Sequence, residues 1–522
     1  MNAKYRDLIF FLICFSLIFN NIPKSIQMNF IGGPVGDKLV IFPLIIGILY
    51  SVWCEWKYKN ILVNKKVLIK FLGIYFGVTF LSLIVGLAYY PFYGDIIKGP
   101  VAQIEKLPRV LHFLYSKGIN VDAETLLPLW MIARITKGFL LEIFYTFVSA
   151  YLFYCWYRDE WTKGFKTMVK AILCSISILF VYSFFVEVPY LAGNETCKSL
   201  LESINPFIHS IKDDGKWWPP LLWPGQLRSV FVEPSYFGIY TAFAMPFLWY
   251  FIYKDRKFIG IILTFLLGFL LFLTKARTGV MLLLGEIILL IIFFTLFERK
   301  KEYIKKTGCV VLCILAALVS SNTFISTFMN EKSETIEVGV MSAMTDYIDN
   351  NAVSLINPDK RSNRARYSIM IADFKIGMDH PILGIGRGLR NGYIPQYLPV
   401  KGKENEEIKM WLAYREKLGI LRSGFPDLGE YTVRFGETGM LGLLAFLMPV
   451  FFLIFSMIKN IVDNKFCYKL EYGIYLISLL GVMVSGIGDT LNITYCYKIL
   501  LGLGYAMFFG KTGEVKDINE RA

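Results

Sequence analysis

At 522 residues, 55% hydrophobic and 16% aromatic, with a mean hydropathy of +0.50, the chain is far too apolar for a soluble globular protein. Its formal net charge of +14 resides largely in short segments between apolar runs, where positive-inside orientation places lysine and arginine. Those basic segments are separated by spanning runs and no nucleic-acid module is present, so a nucleic-acid partner is excluded and membrane lipid is the expected surroundings.

Apolar runs predict an all-α integral membrane protein of about 12 spanning helices. They are expected at 8–22, 38–54, 67–89, 138–157, 167–187, 235–253, 258–274, 278–297, 308–326, 437–458, 470–488 and 491–509. A re-entrant or interfacial helix is an alternative for part of 94–137. The first run has no small-residue cleavage site after it and reads as a helix rather than a signal peptide. Seven of the cysteines (Cys14, Cys54, Cys155, Cys174, Cys309, Cys313 and Cys496) lie in apolar runs and imply no disulfide framework.

Orientation follows from alternate loops. Lys57, Lys59, Lys65 and Lys66 share a side with Arg158, Lys163 and Lys166, with Lys254, Arg256 and Lys257, with the 299–306 cluster, and with Lys459, Lys465 and Lys469. With Lys4 and Arg6 on that side too, both termini are expected to be cytoplasmic. Longer loops near 90–137, 188–234 and 327–436 then face the other side. The expected division is residues 1–326 as helices with two external loops, 327–436 as a large extracytoplasmic loop carrying short helices, and 437–522 as the last helices and a tail. In the middle loop, Trp217, Trp218 and Trp223 among prolines suit an aromatic belt anchor.

The large loop changes sign abruptly. Residues 327–359 hold six carboxylates and one lysine, whereas 360–390 hold seven Lys/Arg and two Asp. Arg361, Arg364, Arg366 and Arg387 therefore fit an anionic ligand such as phosphate, or else a solvated helix face. A helix is expected from about 363 to 378, stopped by Pro381. The following Gly384, Gly386 and Gly388 allow close backbone approach to a partner, without forming a dinucleotide fingerprint.

Helices opening near 235, 278 and 437 would all present their N-termini outward, each just after cations: Arg228, then Lys275 and Arg277, then Arg434. Helix N-termini together with arginine make an anion site. Glu233 before Pro234 reads as a capping residue, as a partner orienting Arg228, or as a base toward a sugar hydroxyl. His380 reads as a base or as a loop cap. His112, His209 and His380 are scattered and do not form a metal set. The intramembrane carboxylates Glu142 and Glu286 are functional by default or pair with a neighbouring helix.

SVFVEPSYFGIY, LTKARTGVMLLL, RYSIMIADFKIGMDHPILGIGRG and RFGETGMLGLLAF, in that order over roughly residues 215–460, resemble the O-antigen ligase/polymerase superfamily (Wzy/WaaL type) of bacterial membrane glycosyltransferases. The resemblance implies a GT-C-like fold in the bacterial inner (plasma) membrane, with an active site facing the periplasm or cell exterior. It implies transfer of a glycan from undecaprenyl pyrophosphate to an acceptor sugar hydroxyl, with no metal, nucleotide or other cofactor, and with Arg228, Arg277 and Arg366 on the pyrophosphate. Donor and acceptor would be undecaprenyl-pyrophosphate-linked oligosaccharides, and a chain-length regulator protein is a further partner. The ligase branch carries a histidine shortly before the helix near Glu437. LRSGFPDLGEYTVRFGETG has none, which favours a repeat-unit polymerase over a ligase and leaves Asp427, Glu430 and His380 as base candidates. A flippase or other transporter is the alternative from a different class, disfavoured because charge concentrates in one external loop.

Overall fold

The computed structural model describes residues 2–28, 36–59, 66–210, 225–254, 256–298, 300–329, 361–422, 424–463 and 466–510, with 66, 67 and 361–363 as backbone only. The tryptophan–proline segment at 211–224 and the acidic stretch at 330–359 lie outside the described residues.

Helices α1 (Ala3–Phe15), α2 (Ile41–Tyr58) and α3 (Lys66–Ala88) are followed by the short α4 (Tyr93–Lys98) and α5 (Leu107–Ser116). Then come α6 (Ala123–Tyr157) and α7 (Trp161–Leu191), each holding one wide π turn. The order continues with α8 (Glu195–Ile208), α9 (Pro234–Tyr253), α10 (Lys257–Leu273), α11 (Arg277–Glu298) and α12 (Lys301–Met329). Beyond the large polar interval stand α13 (Arg361–Asp379), α14 (Arg390–Tyr397), α15 (Glu406–Leu418), α16 (Glu430–Val462), α17 (Lys469–Ser485) and α18 (Cys496–Phe509). Local sequence explains several starts. Asn2, Asp122, Asn194 and Asn405 each accept a bond from a first-turn N–H, and Pro234 opens α9 where no N–H donor is needed.

All twelve expected intervals hold a helix, but six of the described helices are long and apolar enough to cross a membrane on their own terms: Leu68–Ala88, Ala123–Tyr157, Trp161–Leu191, Arg277–Glu298, Lys301–Met329 and Glu430–Val462. Helices α10 and α18 are apolar but shorter. Length excludes α17 and α18, at 17 and 14 residues, whereas the 20-residue α9 is buried on nearly every face. Packed against protein rather than lipid, α9 tolerates tyrosine and proline that lower hydropathy. Other boundaries also differ. Helix α6 begins at Ala123 rather than near 138, α18 begins at Cys496 rather than near 491, and α16 begins at Glu430 rather than near 437.

A small cap with its own core sits at one end of the bundle. Leu83, Leu87, Tyr90, Ile96 and Leu127 from the 83–127 region pack with Ile369, Ile376, Ile385, Tyr393 and Phe425 from the 365–425 region. Two stretches expected as separate loops thus share one core.

The cap is joined to the bundle by a splice. Helix α16 breaks at Gly439, whose φ of 63° and ψ of −169° suit glycine alone. The glycine-rich segment after α13 fills the break. Met440 and Leu441 donate to Pro381 O and Ile382 O at 2.8 and 3.2 Å, while Ile385 and Gly386 donate to Gly436 O and Glu437 O at 3.1 and 2.9 Å. Ser82 Oγ on α3 donates to Leu383 O at 2.5 Å. A Cβ at Gly86 would stand 2.1 Å from Ile385 O, so the approach requires glycine there. Gly439→Ala places a Cβ 2.3 Å from Ile382 O in a conformation alanine resists. It is expected to lower unfolding stability by at least roughly 1–3 kcal/mol, seen as a reduced melting temperature in detergent.

Candidate functional site

Three polar turns meet at the capped end of the bundle. The first precedes α9. Its Arg228 and Ser229 backbone N–H groups donate to Glu187 Oε1 and Oε2 at 2.8 and 2.7 Å, and Leu227 N–H donates to Leu273 O at 3.2 Å. Glu187 thereby holds Ser229 in a left-handed conformation, φ 55°. The Arg228 side chain is buried and reaches Val232 O at 3.5 Å. Burial pulls its guanidinium below the ordinary value, with Glu187 and Tyr182 acting against that.

The second turn joins α10 to α11. Lys275 takes φ 51°, with Ala276 N–H bonded to Thr274 Oγ1 at 3.0 Å. Its Nζ lies 3.7 Å from where a Cβ on Gly225 would stand, so it reaches the first turn. Burial lowers the Lys275 ammonium. Arg277, half-buried, opens α11 beside it. At this place α9 and α11 cross with Gly238 and Gly279 in contact, the close approach that small residues permit.

The third turn, residues 486–495 between α17 and α18, carries Asp489. Arg366 on α13 reaches down to it, forming an ion pair with Asp489 at 3.3 Å and a hydrogen bond to Gly488 O. Glu233 joins this group. Its carboxylate accepts from Ser235 Oγ at 3.3 Å and makes no N-cap bond. Burial raises the Glu233 carboxyl above its ordinary value, Asp489's charge raises it further and Arg366 opposes. Burial likewise raises Asp489 against the pull of Arg366. A cavity of 430 Å³ is lined in part by Val232 and Thr490, the chain neighbours of Glu233 and Asp489, and by Tyr236 and Asn492. Two carboxyls poised to ionise late, beside an arginine with a third of its side chain exposed, can take a proton from a hydroxyl while cations hold an anion.

Other expected cations are committed elsewhere. Arg387 pairs with Glu142, and Arg434 pairs with Glu142 at 2.5 Å and Glu430 at 2.6 Å. Tyr75 OH donates to Glu142 at 3.3 Å and accepts from Arg434. Arg434 is buried inside the first segment of α16 rather than standing before a helix, and the N–H groups at the Gly439 break are taken by Pro381 and Ile382. The expected third arginine-fronted N-terminus is therefore absent there. The reason is that a buried helix break must satisfy its own backbone groups.

Asp427 pairs with Arg390 at 2.5 Å, and Arg390 also grips Asp373 with two bonds of 3.0 and 2.9 Å. His380 is exposed, its backbone N–H ends α13 on Ile376 O at 3.0 Å, and its ring stands edge-on to Tyr393 at 6.3 Å. Neither is brought to Arg366 as Glu233 is. Arg364 is half-buried on α13, and the Arg361 side chain lies outside the described residues. Glu286 is buried with no hydrogen-bond partner among the described residues, packed on Gly481. No three His, Cys, Asp or Glu side chains among the described residues are placed to hold a metal ion.

Asp489 and Glu187 escaped the sequence reading. The signal for Asp489 was an acidic residue in SGIGDT, in the two-residue gap between the expected runs 470–488 and 491–509.

Residues 262–410 match a family model described as O-antigen ligase. The matched interval includes Lys275, Arg277, Arg366 and the splice segment, and ends before α16. It supports a place in the O-antigen ligase/polymerase superfamily and a role in surface-polysaccharide assembly at a membrane, without separating polymerase from ligase. No curated protein matches the chain.

Removing Glu142 tests the buried network. Glu142→Ala leaves two guanidinium groups without their shared carboxylate and is expected to cost roughly 3–5 kcal/mol, read as loss of folded protein on size-exclusion chromatography.

Proposed function

We propose that this protein is a membrane glycosyltransferase that polymerises a surface polysaccharide, moving a growing glycan from undecaprenyl pyrophosphate to a sugar hydroxyl of the next lipid-linked repeat unit. The observation that carries the reading is the meeting of Arg366, Asp489 and Glu233 next to the turns bearing Arg228, Lys275 and Arg277. Both termini would be cytoplasmic, the capped end would face the periplasm or cell exterior, and the 327–436 stretch would form most of the extracytoplasmic part.

In the proposed reaction the acceptor oxygen attacks the anomeric carbon of the donor and the bond from that carbon to the pyrophosphate oxygen breaks. The hydroxyl proton passes to Glu233 or Asp489. Negative charge grows on the departing pyrophosphate, where Arg366, Arg277 and Lys275 stabilise it as fixed donors. Asp489 orients Arg366, and Glu187 orients the turn bearing Arg228.

The match to a model described as O-antigen ligase favours a second reading, transfer of finished glycan to a lipid acceptor. Deletion of the gene separates the two. A polymerase null leaves at most one repeat unit attached, whereas a ligase null accumulates long polymer on the lipid carrier.

Replacement of Arg366 by alanine, and separately by lysine, is expected to abolish the polymer ladder on a gel at normal protein level. Lysine supplies charge but not a planar fork. An unchanged ladder in both variants removes Arg366 from the site. Acidity provides an independent check. Because burial raises Glu233 and Asp489, both protonate before an ordinary carboxylate as pH falls, and a protonated carboxyl cannot act as base. Transfer by purified protein should therefore decline on acidification at a pH above the ordinary carboxylate range. Glu233→Gln with Asp489→Asn should abolish transfer, and a pH-independent rate in the unaltered protein contradicts the assignment.

A further inference from the structure

A groove on the outer surface of the bundle takes no part in the site described above. Phe80 of α3 and Leu129, Ile132, Leu140, Leu141 and Phe144 of α6 line it together with Lys137, and its volume of 750 Å³ lies within the range of ligand sites. Lys137 is exposed and forms no ion pair or hydrogen bond among the described residues. Arg134, one turn earlier on the same helix face, is exposed too. Its guanidinium stands over Trp130 at 5.3 Å, and its Nη2 donates to Leu421 O at 2.6 Å. No carboxylate among the described residues lines the groove. The length of α6 sets the depth of these cations. At about 1.5 Å per residue the 35-residue helix measures roughly 50 Å, well beyond the roughly 30 Å of a bilayer's hydrocarbon core. Measured back from Tyr157, where the polar turn at 158–160 marks the opposite surface, about 30 Å of helix ends at Lys137. That stretch is also the apolar run expected at 138–157. Past it, Leu127 and Met131 enter the cap core, and Trp130 suits an interface. Helix α5, packed on α6, exposes Val110 and Phe113 beside Lys106 and Arg109, a membrane-surface pattern.

Cations at headgroup depth above an apolar channel match an amphiphile with a phosphate head and a hydrocarbon tail. We infer that the groove binds an anionic diacyl phospholipid of the surrounding bilayer, with its phosphodiester at Lys137 and Arg134 and one acyl chain along Leu140, Leu141, Phe144 and Phe80. Two cations with no carboxylate beside them favour an anionic headgroup over a zwitterionic one. A resident phospholipid fits better than a polyprenyl carrier, because none of Arg228, Lys275, Arg277 and Arg366 lines the groove. The inner side of α6 is closed there by Phe139 under Arg387 and by the Arg387–Glu142 pair. The site stands apart from the transfer reading and does not need it.

The test titrates full-length protein, delipidated in detergent, with phosphatidylglycerol, phosphatidylethanolamine and undecaprenyl phosphate, and native mass spectrometry counts the lipid retained. Phosphatidylglycerol should bind several-fold tighter than phosphatidylethanolamine. Lys137→Glu should weaken phosphatidylglycerol on the order of tenfold and erase that preference. Leu140→Trp, which fills the groove but keeps both cations, should weaken both phospholipids. Lys166→Ala, which removes an exposed cation from α7, should change neither. Lys137 and Leu140 are exposed, so both groove variants should keep the wild-type melting temperature, which separates lost binding from lost fold. The site is overturned if the two phospholipids bind alike, or if Lys137→Glu and Leu140→Trp both leave phosphatidylglycerol binding unchanged. It is overturned equally if Lys166→Ala weakens binding as much as Lys137→Glu, or if undecaprenyl phosphate displaces phosphatidylglycerol at equal concentration.

Discussion

A helix that breaks inside an apolar bundle must find partners for the backbone groups it uncovers, and the break at Gly439 sets much of the rest of this structure. Four backbone bonds between 381–386 and 436–441 close it, so the segment after α13 is bound in place as firmly as a strand in a sheet. That fixes where α13 emerges, and with it the direction in which Arg366 points. Gly86 on α3 and Gly384 and Gly386 in the loop supply the close approach.

The charged groups divide into two sets with different work. Arg387, Arg434, Glu142, Glu430 and Tyr75 form a closed network whose charges are mutually compensated, as burial demands. It also reaches the third turn. Glu430 Oε2 accepts from Leu491 N–H at 3.0 Å, and Glu430 N–H donates to Gly486 O at 2.8 Å. The buried network therefore positions the loop that carries Asp489. In the second set, Arg366 keeps exposed surface and Glu233 and Asp489 are held as reluctant acids, which is the state a site needs and a core avoids.

How far the sequence carried depended on how local the signal was. Helix α13 was legible within two residues at each end, because Pro381 and the polar period after Lys360 are local features. The need for close approach at Gly384 and Gly386 was legible too, although the partner was not. Arg434 misled because a cation just before a predicted helix start resembles an anion-site arginine. Only the true start at Glu430 puts it four residues inside, within reach of Glu430 and Glu142.

By itself the sequence determined the all-helical character, the order of the helices and the gathering of cations in the segments before α9, α11 and α13. Those follow from apolar run length, proline and glycine placement, and charge sign, all of which act over a few residues. Tertiary structure alone decided which cations are spent on buried carboxylates and which remain available. It also placed Asp489 against Arg366, 123 positions apart in the chain (489 − 366), and folded two separate loops onto one core. Ion pairing and burial depend on distances in space, and in a bundle of this many crossings sequence separation says almost nothing about those.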